Sequence, residues 1–320
     1  MVGSAAKNQC GTKRGWRMHK TRSTFRWERI GVYGGLMLIL AGCGTASAVH
    51  HAATNKHAAV TAKPEAIYAT PKDTLGITAP LPNGQLWMVA GNVSSKGIFA
   101  LDLPSKKIGT SASVSNAADA IAEASTGVIG LGMATPATGG VEFLNSSSGK
   151  SIASVAVSGP VQSIAAGDNG TTFYALNGTT TAQAVAVINS RTAKVTRSVP
   201  APKGGVAVVA SPNQQSLYIL ESNGNVDEVA IPSGQLESLF TVGHSGYAET
   251  LSPGGHTLYV LKGQGSTRNV AVVDINTEKV TEVLPAPSDA NSLSLSPNGT
   301  TLYVGAGSST FGNVQAYRFH

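Results

Sequence analysis

Few residues of this 320-residue chain stand where their types and spacing could do chemistry. Gly243-His244-Ser245-Gly246 sets a histidine beside a serine, the pairing that activates a nucleophilic hydroxyl. A nucleophile elbow wants glycine where Tyr247 stands, and no carboxylate partner can be assigned to His244 from the sequence. His244 and Glu249 are the best acid–base candidates the stretch offers. Gly130-Leu131-Gly132 opens like a dinucleotide fingerprint but places Thr135 where the third glycine belongs. Beyond residue 66 the histidines are His244, His256 and His320, too few and too scattered for a copper cluster. No Asp-x-Asp spacing of a calcium loop occurs. His50, His51 and His57 fall in an Ala/Thr/Ser-rich stretch that offers no fixed geometry and reads as a solvated spacer. Asn-x-Ser/Thr triplets at Asn92, Asn145, Asn169, Asn177 and Asn298 read as turn residues. No motif calls for a metal or a cofactor.

The formal charge of +6 is unevenly placed. Residues 1–42 hold eight Lys/Arg and one acid, Glu28, for +7; the remaining 15 basic and 16 acidic residues leave −1. The basicity that would invite a nucleic-acid reading belongs to a leader, so no nucleic-acid partner is expected. The leader is built as an export signal: a basic stretch through Arg29, an apolar run from Ile30 to Ala41, then Leu40-Ala41-Gly42-Cys43. The run is shorter than the about 20 residues a membrane span requires. Translation starting at Met18 would leave this order intact. Cys10 lies upstream, so no disulfide framework is expected in the remainder.

Leu40-Ala41-Gly42-Cys43 resembles the bacterial lipobox. The resemblance implies that Cys43 takes a diacylglycerol, that cleavage makes it the first residue, and that acyl chains such as palmitate hold the protein at a membrane, facing outside the cytoplasm. Residues 1–42 are then a signal peptide, 43–65 the lipidated cysteine and a flexible tether, and 66–320 the folded domain.

That domain repeats. Short apolar segments end at Asp102, Asn145, Asn189, Ala230, Asp274 and Arg318, and an aromatic follows a polar turn at Trp87, Tyr174, Tyr218, Tyr259 and Tyr303. The period is 41 to 44 residues; the one double gap places a degenerate copy at Gly130-Leu131. Each unit reads as four short strands. Ser292 to Ser296 alternates as a half-buried inner strand, Pro297-Asn298-Gly299 turns the chain, and Thr301 to Val304 is rich in β-formers. Four strands in about 43 residues predict an all-β propeller. The last unit ends after its third strand, and Ala66-Ile67-Tyr68-Ala69 lies one period before the first fourth strand. It is expected to close the ring. Six blades follow, or seven if a diverged copy lies within residues 103–125. Asp102 and Asp274 recur by period and are expected to cap turns.

Val270-Ala271-Val272-Val273-Asp274, Leu295-Ser296-Pro297-Asn298-Gly299 and Leu302-Tyr303-Val304 together resemble the YVTN-type propeller repeat, most clearly from residue 185 onward. Gly305-Ala306 and Leu261-Lys262 depart from that family's Thr-Asn. The resemblance implies a fold and an extracytoplasmic setting but no single activity.

Function is therefore sought on one loop face. The connections into each inner strand carry Lys203, His244, Tyr247, Asp289 and Asn291, joined by Arg268 from a second-to-third strand loop. These are the candidate loops for an envelope protein or a small ligand. The leading expectation is a membrane-anchored binding or scaffold module. The alternative is a propeller enzyme, a lactonase-like hydrolase or a quinone-dependent dehydrogenase. With only 12% charged residues in the chain, tolerance of acidic surroundings is also expected.

Overall fold

The structure, a computed structural model, describes residues 63–92, 95–115, 118–134, 139–179, 181–264 and 266–319. The leader with Cys43, the spacer histidines, Thr135 and His320 lie outside the described residues.

Twenty-four strands form six four-stranded antiparallel sheets. Blade 1 is β2 (Thr74–Ile77), β3 (Gln85–Asn92), β4 (Ser95–Asp102) and β5 (Lys107–Val114). Blade 2 is β6 (Ala118–Ala124), β7 (Val128–Met133), β8 (Gly139–Asn145) and β9 (Ser151–Val157). Blade 3 is β10 (Val161–Ala166), β11 (Thr172–Thr179), β12 (Ala182–Asn189) and β13 (Lys194–Pro200). Blade 4 is β14 (Gly205–Ala210), β15 (Ser216–Glu221), β16 (Asn225–Ala230) and β17 (Leu236–Thr241). Blade 5 is β18 (Ser245–Leu251), β19 (Thr257–Gln264), β20 (Thr267–Asp274) and β21 (Lys279–Ala286). Blade 6 takes β22 (Ala290–Leu295), β23 (Thr301–Ser308) and β24 (Phe311–Arg318) from the end of the chain and its outer strand, β1 (Ala66–Ala69), from the beginning. Residues 103–125 belong to blades 1 and 2, so six blades are present and no seventh is hidden there.

The third-to-fourth strand turns show why the period is so regular. Asp102 accepts the Ser105 amide at 3.1 Å, Asn145 those of Ser147 and Ser148 at 3.0 Å, Asn189 that of Thr192 at 3.0 Å and Asp274 that of Thr277 at 2.9 Å. A short polar side chain at the strand end thus satisfies turn amides that would otherwise need water. The periodic acids cap turns, as their spacing predicts.

The core lies between blades, not within them. Six hydrophobic clusters each join one blade to the next, including one across the 6–1 junction (Ile77, Met88, Tyr303, Val314). The periodic aromatics Trp87, Tyr174, Tyr218, Tyr259 and Tyr303 are all buried there. Blade 2 has Gly130 at this position, and the reason is steric. A Cβ on Gly130 would stand 2.9 Å from the Phe173 ring of blade 3. Phe173 instead meets Phe143, the cross-strand partner of Gly130, with ring centroids 5.0 Å apart. The aromatic has moved one strand outward, so the degenerate copy keeps its bulk.

Ala66–Ala69 closes the ring on the last blade as expected, and the register pairs Ala66 with Ala316, Ile67 with Gln315, Tyr68 with Val314 and Ala69 with Asn313. Glu65 N–H donates to Ala316 O at 2.8 Å and Thr70 N–H to Gly312 O at 3.0 Å. Gly312 lets the two ends of the chain meet, because a Cβ there would lie 1.8 Å from the carbonyl oxygen of Pro71. Gly312→Val is expected to destabilise the ring by about 3 kcal/mol, lowering the Tm by roughly 6–12 °C in thermal denaturation followed by circular dichroism. An unchanged Tm would show that this contact is not needed for closure.

Candidate functional site

All inner strands run in one sense, so the ring has an upper end, where outer strands connect to the next inner strand, and a lower end, where the first-to-second and third-to-fourth turns lie. Every inner strand carries a bulge at the same place, just after it enters from the upper end: between Thr74 and Gly76, Ala118 and Ala120, Val161 and Ser163, Gly205 and Ala207, Gly246 and Ala248, and Ala290 and Ser292. A bulge adds one unpaired residue and re-aims its side chain. The added residues are Leu75, Asp119, Gln162, Val206, Tyr247 and Asn291, and all six line the mouth of a central cavity of about 650 Å³. Deeper in the channel the wall is made of short side chains, Thr78, Ala122, Ala165, Val209, Thr250 and Ser294, which keep it open.

The mouth is polar and largely held in place. Asn291 donates to Thr74 O at 2.7 Å, tying blade 6 to blade 1. Asp119 forms an ion pair with Lys96 of blade 1. Gln162 donates to Gly178 O at 2.9 Å. The Arg268 guanidinium stacks over the Tyr247 ring, 3.8 Å from its centroid, a cation–π contact that leaves a flat charged surface. Gln183 both donates to Gly205 O and accepts from Gly205 N–H, each at 2.8 Å, locking blade 3 to blade 4. Four amide oxygens at this end, those of Gln162, Asn177, Asn269 and Asn313, are buried with no hydrogen-bond partner among the described residues. Such a set offers hydrogen-bond donors, acceptors, an aromatic face and a guanidinium, a chemistry suited to holding a polar molecule or a polar protein loop.

Of the six residues the sequence singles out, Tyr247, Arg268 and Asn291 come to this mouth or its rim, and they lie on strands, not in loops. The bulge in β18 and β22 and the short β19–β20 hairpin account for the difference, since the strands extend to the upper end of the ring. Lys203, His244 and Asp289 lie in the connections above and are exposed. His244 adopts a left-handed backbone, φ 64°, where its carbonyl packs onto Gly224 of the neighbouring blade. Its role is thus partly structural. Sequence reasoning missed Asp119 and Gln162 as mouth residues. A signal existed: residues 75, 119, 162, 206, 247 and 291 are spaced by 41 to 44.

Glu249, the acid considered beside His244, stands at the inner-strand position filled elsewhere by Ile77, Ile121, Ile164, Val208 and Leu293, all members of the interblade clusters. Its carboxyl is buried, accepts Leu220 N–H at 3.2 Å across the blade 4–5 junction, and leaves its second oxygen without a partner among the described residues. Burial holds it protonated well above the usual carboxylate range, against the smaller opposite effect of the Leu220 amide. His244 stands exposed in the connection above β18 while Glu249 is buried at the blade junction, and no hydrogen bond or ion pair among the described residues joins the two. Glu123, toward the lower end, is pushed up to about 7 by burial, opposed by the Ser146 and Thr78 hydroxyls. Among the described residues no three His, Cys, Asp or Glu side chains gather as metal ligands would, and no helix is long and apolar enough to cross a membrane.

No family model matches the chain, and no curated protein matches it. Among solved structures it is similar to hydrazine synthase of Kuenenia stuttgartiensis, with a TM-score of 0.58 and 18% identity over 75% of this chain and 75% of that one. At that identity the likeness is one of propeller fold.

Burial raises four carboxyls, Glu123, Asp168, Glu221 and Glu249, and the most strongly raised, Glu123 and Glu249, set the sign of the pH dependence. Each binds its proton more tightly folded than unfolded, so the stability it contributes is complete below about 4.5 and is lost as pH rises, through about 7 for Glu123 and well above the usual carboxylate range for Glu249. The Tm is expected to fall between pH 5 and pH 8. Glu249→Leu, which restores the residue type of the other blades, should raise stability at pH 8 by roughly 1–3 kcal/mol and flatten the profile. A Tm that instead collapses on acidification from pH 7 would contradict this account.

Proposed function

We propose that this chain is a lipoprotein whose six-bladed propeller, of the YVTN-repeat type, is held at the outer face of a cell membrane as a binding or scaffold module. The observation that carries the reading is an arrangement of ends. β1 enters the ring from the lower end, so the polypeptide leading back toward Cys43 departs there, while the polar mouth opens at the upper end. A tether that joins the ring at the lower end would leave the mouth at the opposite end unobstructed. The lipobox-like Leu40-Ala41-Gly42-Cys43 after a basic and then apolar leader supports the anchor. The Ser-Pro-Asn-Gly turn with the following Leu302-Tyr303-Val304 supports the repeat type.

The bound species is an envelope protein or a small polar ligand, met by the Tyr247–Arg268 platform and the neighbouring Asp119, Gln162 and Asn291. Binding is the reading favoured over chemistry at His244 and Glu249 because Glu249 is sealed between two blades.

Two measurements test this. Cells fed labelled palmitate should incorporate it into the wild-type chain, and Cys43→Ser should abolish the label at least 20-fold; label retained in the variant would refute lipidation at Cys43. Chemical crosslinking in intact cells, followed by mass spectrometry, should capture a reproducible envelope partner. Tyr247→Ala with Arg268→Ala should reduce that capture about tenfold without lowering the Tm by more than a few degrees. Capture unaffected by the double change would remove the mouth as the binding surface.

A further inference from the structure

The lower end carries a feature that the upper mouth does not explain. On each outer strand one aliphatic side chain near that end stands exposed: Ile108, Ile152, Val195, Leu236 and Val280, with Ile67 on the closing strand. Outer strands are sheet edges, and lysines beside such residues ordinarily discourage edge-to-edge pairing. That account would apply equally to every blade, and the charge is not equally distributed. The third-to-fourth strand turns of blades 1 to 3 (residues 102–107, 145–150 and 189–194) hold five cations, Lys106, Lys107, Lys150, Arg191 and Lys194. Against them stands one acid, Asp102, already engaged in capping its turn. The first-to-second turns of the same blades, at the same end, add only Asp168. The turn of blade 4 has no charge, and that of blade 5 holds Asp274, Glu278 and Lys279. An exposed arc of lysines, interleaved with Ile108, Ile152 and Val195, thus covers half of the lower rim.

We propose that this arc, on blades 1 to 3, docks the propeller on an anionic phospholipid surface. Three observations support that occupant. Its charge complements such a lipid surface, which draws in clustered Lys/Arg. Its aliphatic side chains are of the kind that enter the headgroup region beside such cations. It also lies at the end from which the chain runs back toward Cys43. Nineteen residues, 44–62, lie between Cys43 and Lys63, so a lipid on Cys43 would keep the rim within reach of the bilayer. Docking then fixes the ring's orientation, with the Tyr247–Arg268 mouth held outward, where a tether alone would let it tumble. The proposal deepens the anchored reading above, and the experiment separates the two.

Membranes from cells producing the full chain are supplied with phosphatidylglycerol bearing a headgroup diazirine, irradiated, and the adducts mapped by mass spectrometry. Adducts are expected within residues 106–108, 150–152 and 194–195, and not at the upper-end residues 262–268. They should drop at least fivefold in 1 M NaCl, because exposed charges are screened, and in the Lys107→Glu, Lys150→Glu, Lys194→Glu variant. The salt arm gives the answer even if the variant does not fold. Adducts spread evenly over both ends, adducts insensitive to salt, or a protein crosslinked to the rim in place of lipid would each overturn the proposal. Palmitate labelling is read separately. Rim adducts without labelled Cys43 would leave docking standing and end the lipoprotein reading; labelled Cys43 without rim adducts would do the reverse.

Discussion

Every part of this molecule depends on the closure of the ring. A four-stranded blade has two apolar faces and cannot cover either one itself. The six hydrophobic clusters therefore all lie at blade junctions, and each exists only if both neighbours are in place. The 6–1 junction is different because its outer strand comes from the other end of the chain. Four residues, Ala66–Ala69, complete blade 6. Without them β24 would present an open edge and the cluster of Ile77, Met88, Tyr303 and Val314 would lose its support from the outer strand.

Closure also decides where polar groups can be placed. The junctions take the apolar side chains, so the channel and the two ends are left to polar and small residues. A bulge at one position per inner strand then turns six side chains into the mouth. Each bulge is identical in register while the added residue differs, which gives the ring a regular frame carrying an irregular surface. Junction polarity is conserved physically in the same economical way: Asn291, Gln183 and the Lys96–Asp119 pair each bridge adjacent blades at the upper end. Glu249 is the exception within a junction, an acid in an aliphatic slot with only one of its oxygens hydrogen-bonded. Burial favours the protonated form of this carboxyl and of Glu123, so each loses its contribution to stability as the pH rises.

The two ends of the ring consequently have separate characters. The upper end gathers hydrogen-bonding side chains, an aromatic ring and a guanidinium around a cavity. The lower end carries a one-sided arc of lysines with exposed aliphatic residues and receives the chain from its N-terminal side.

Much of this was legible in the sequence because propeller blades are local. Strand ends at Asp102, Asn145, Asn189 and Asp274 cap turns within a few residues, and hairpin strands pair with their chain neighbours, so a spacing of 41 to 44 was enough to give strands and blades, while the choice of six over seven waited for the structure to assign residues 103–125. The closing strand was also readable, because the missing fourth strand at one terminus had a single apolar counterpart at the other. What the tertiary structure decided was orientation across blades. Whether Tyr247 and Asn291 lie in loops or on strands depends on a bulge, which shifts side chains by one residue and leaves no compositional trace. Whether Glu249 meets solvent or Leu220 depends on the neighbouring blade, 29 residues earlier in the chain. The absence of an aromatic at Gly130 became intelligible only when Phe173, 43 residues later, was found occupying its space. Local pairing is written in the period; contacts between blades are made by residues tens of positions apart, and only the closed ring brings them together.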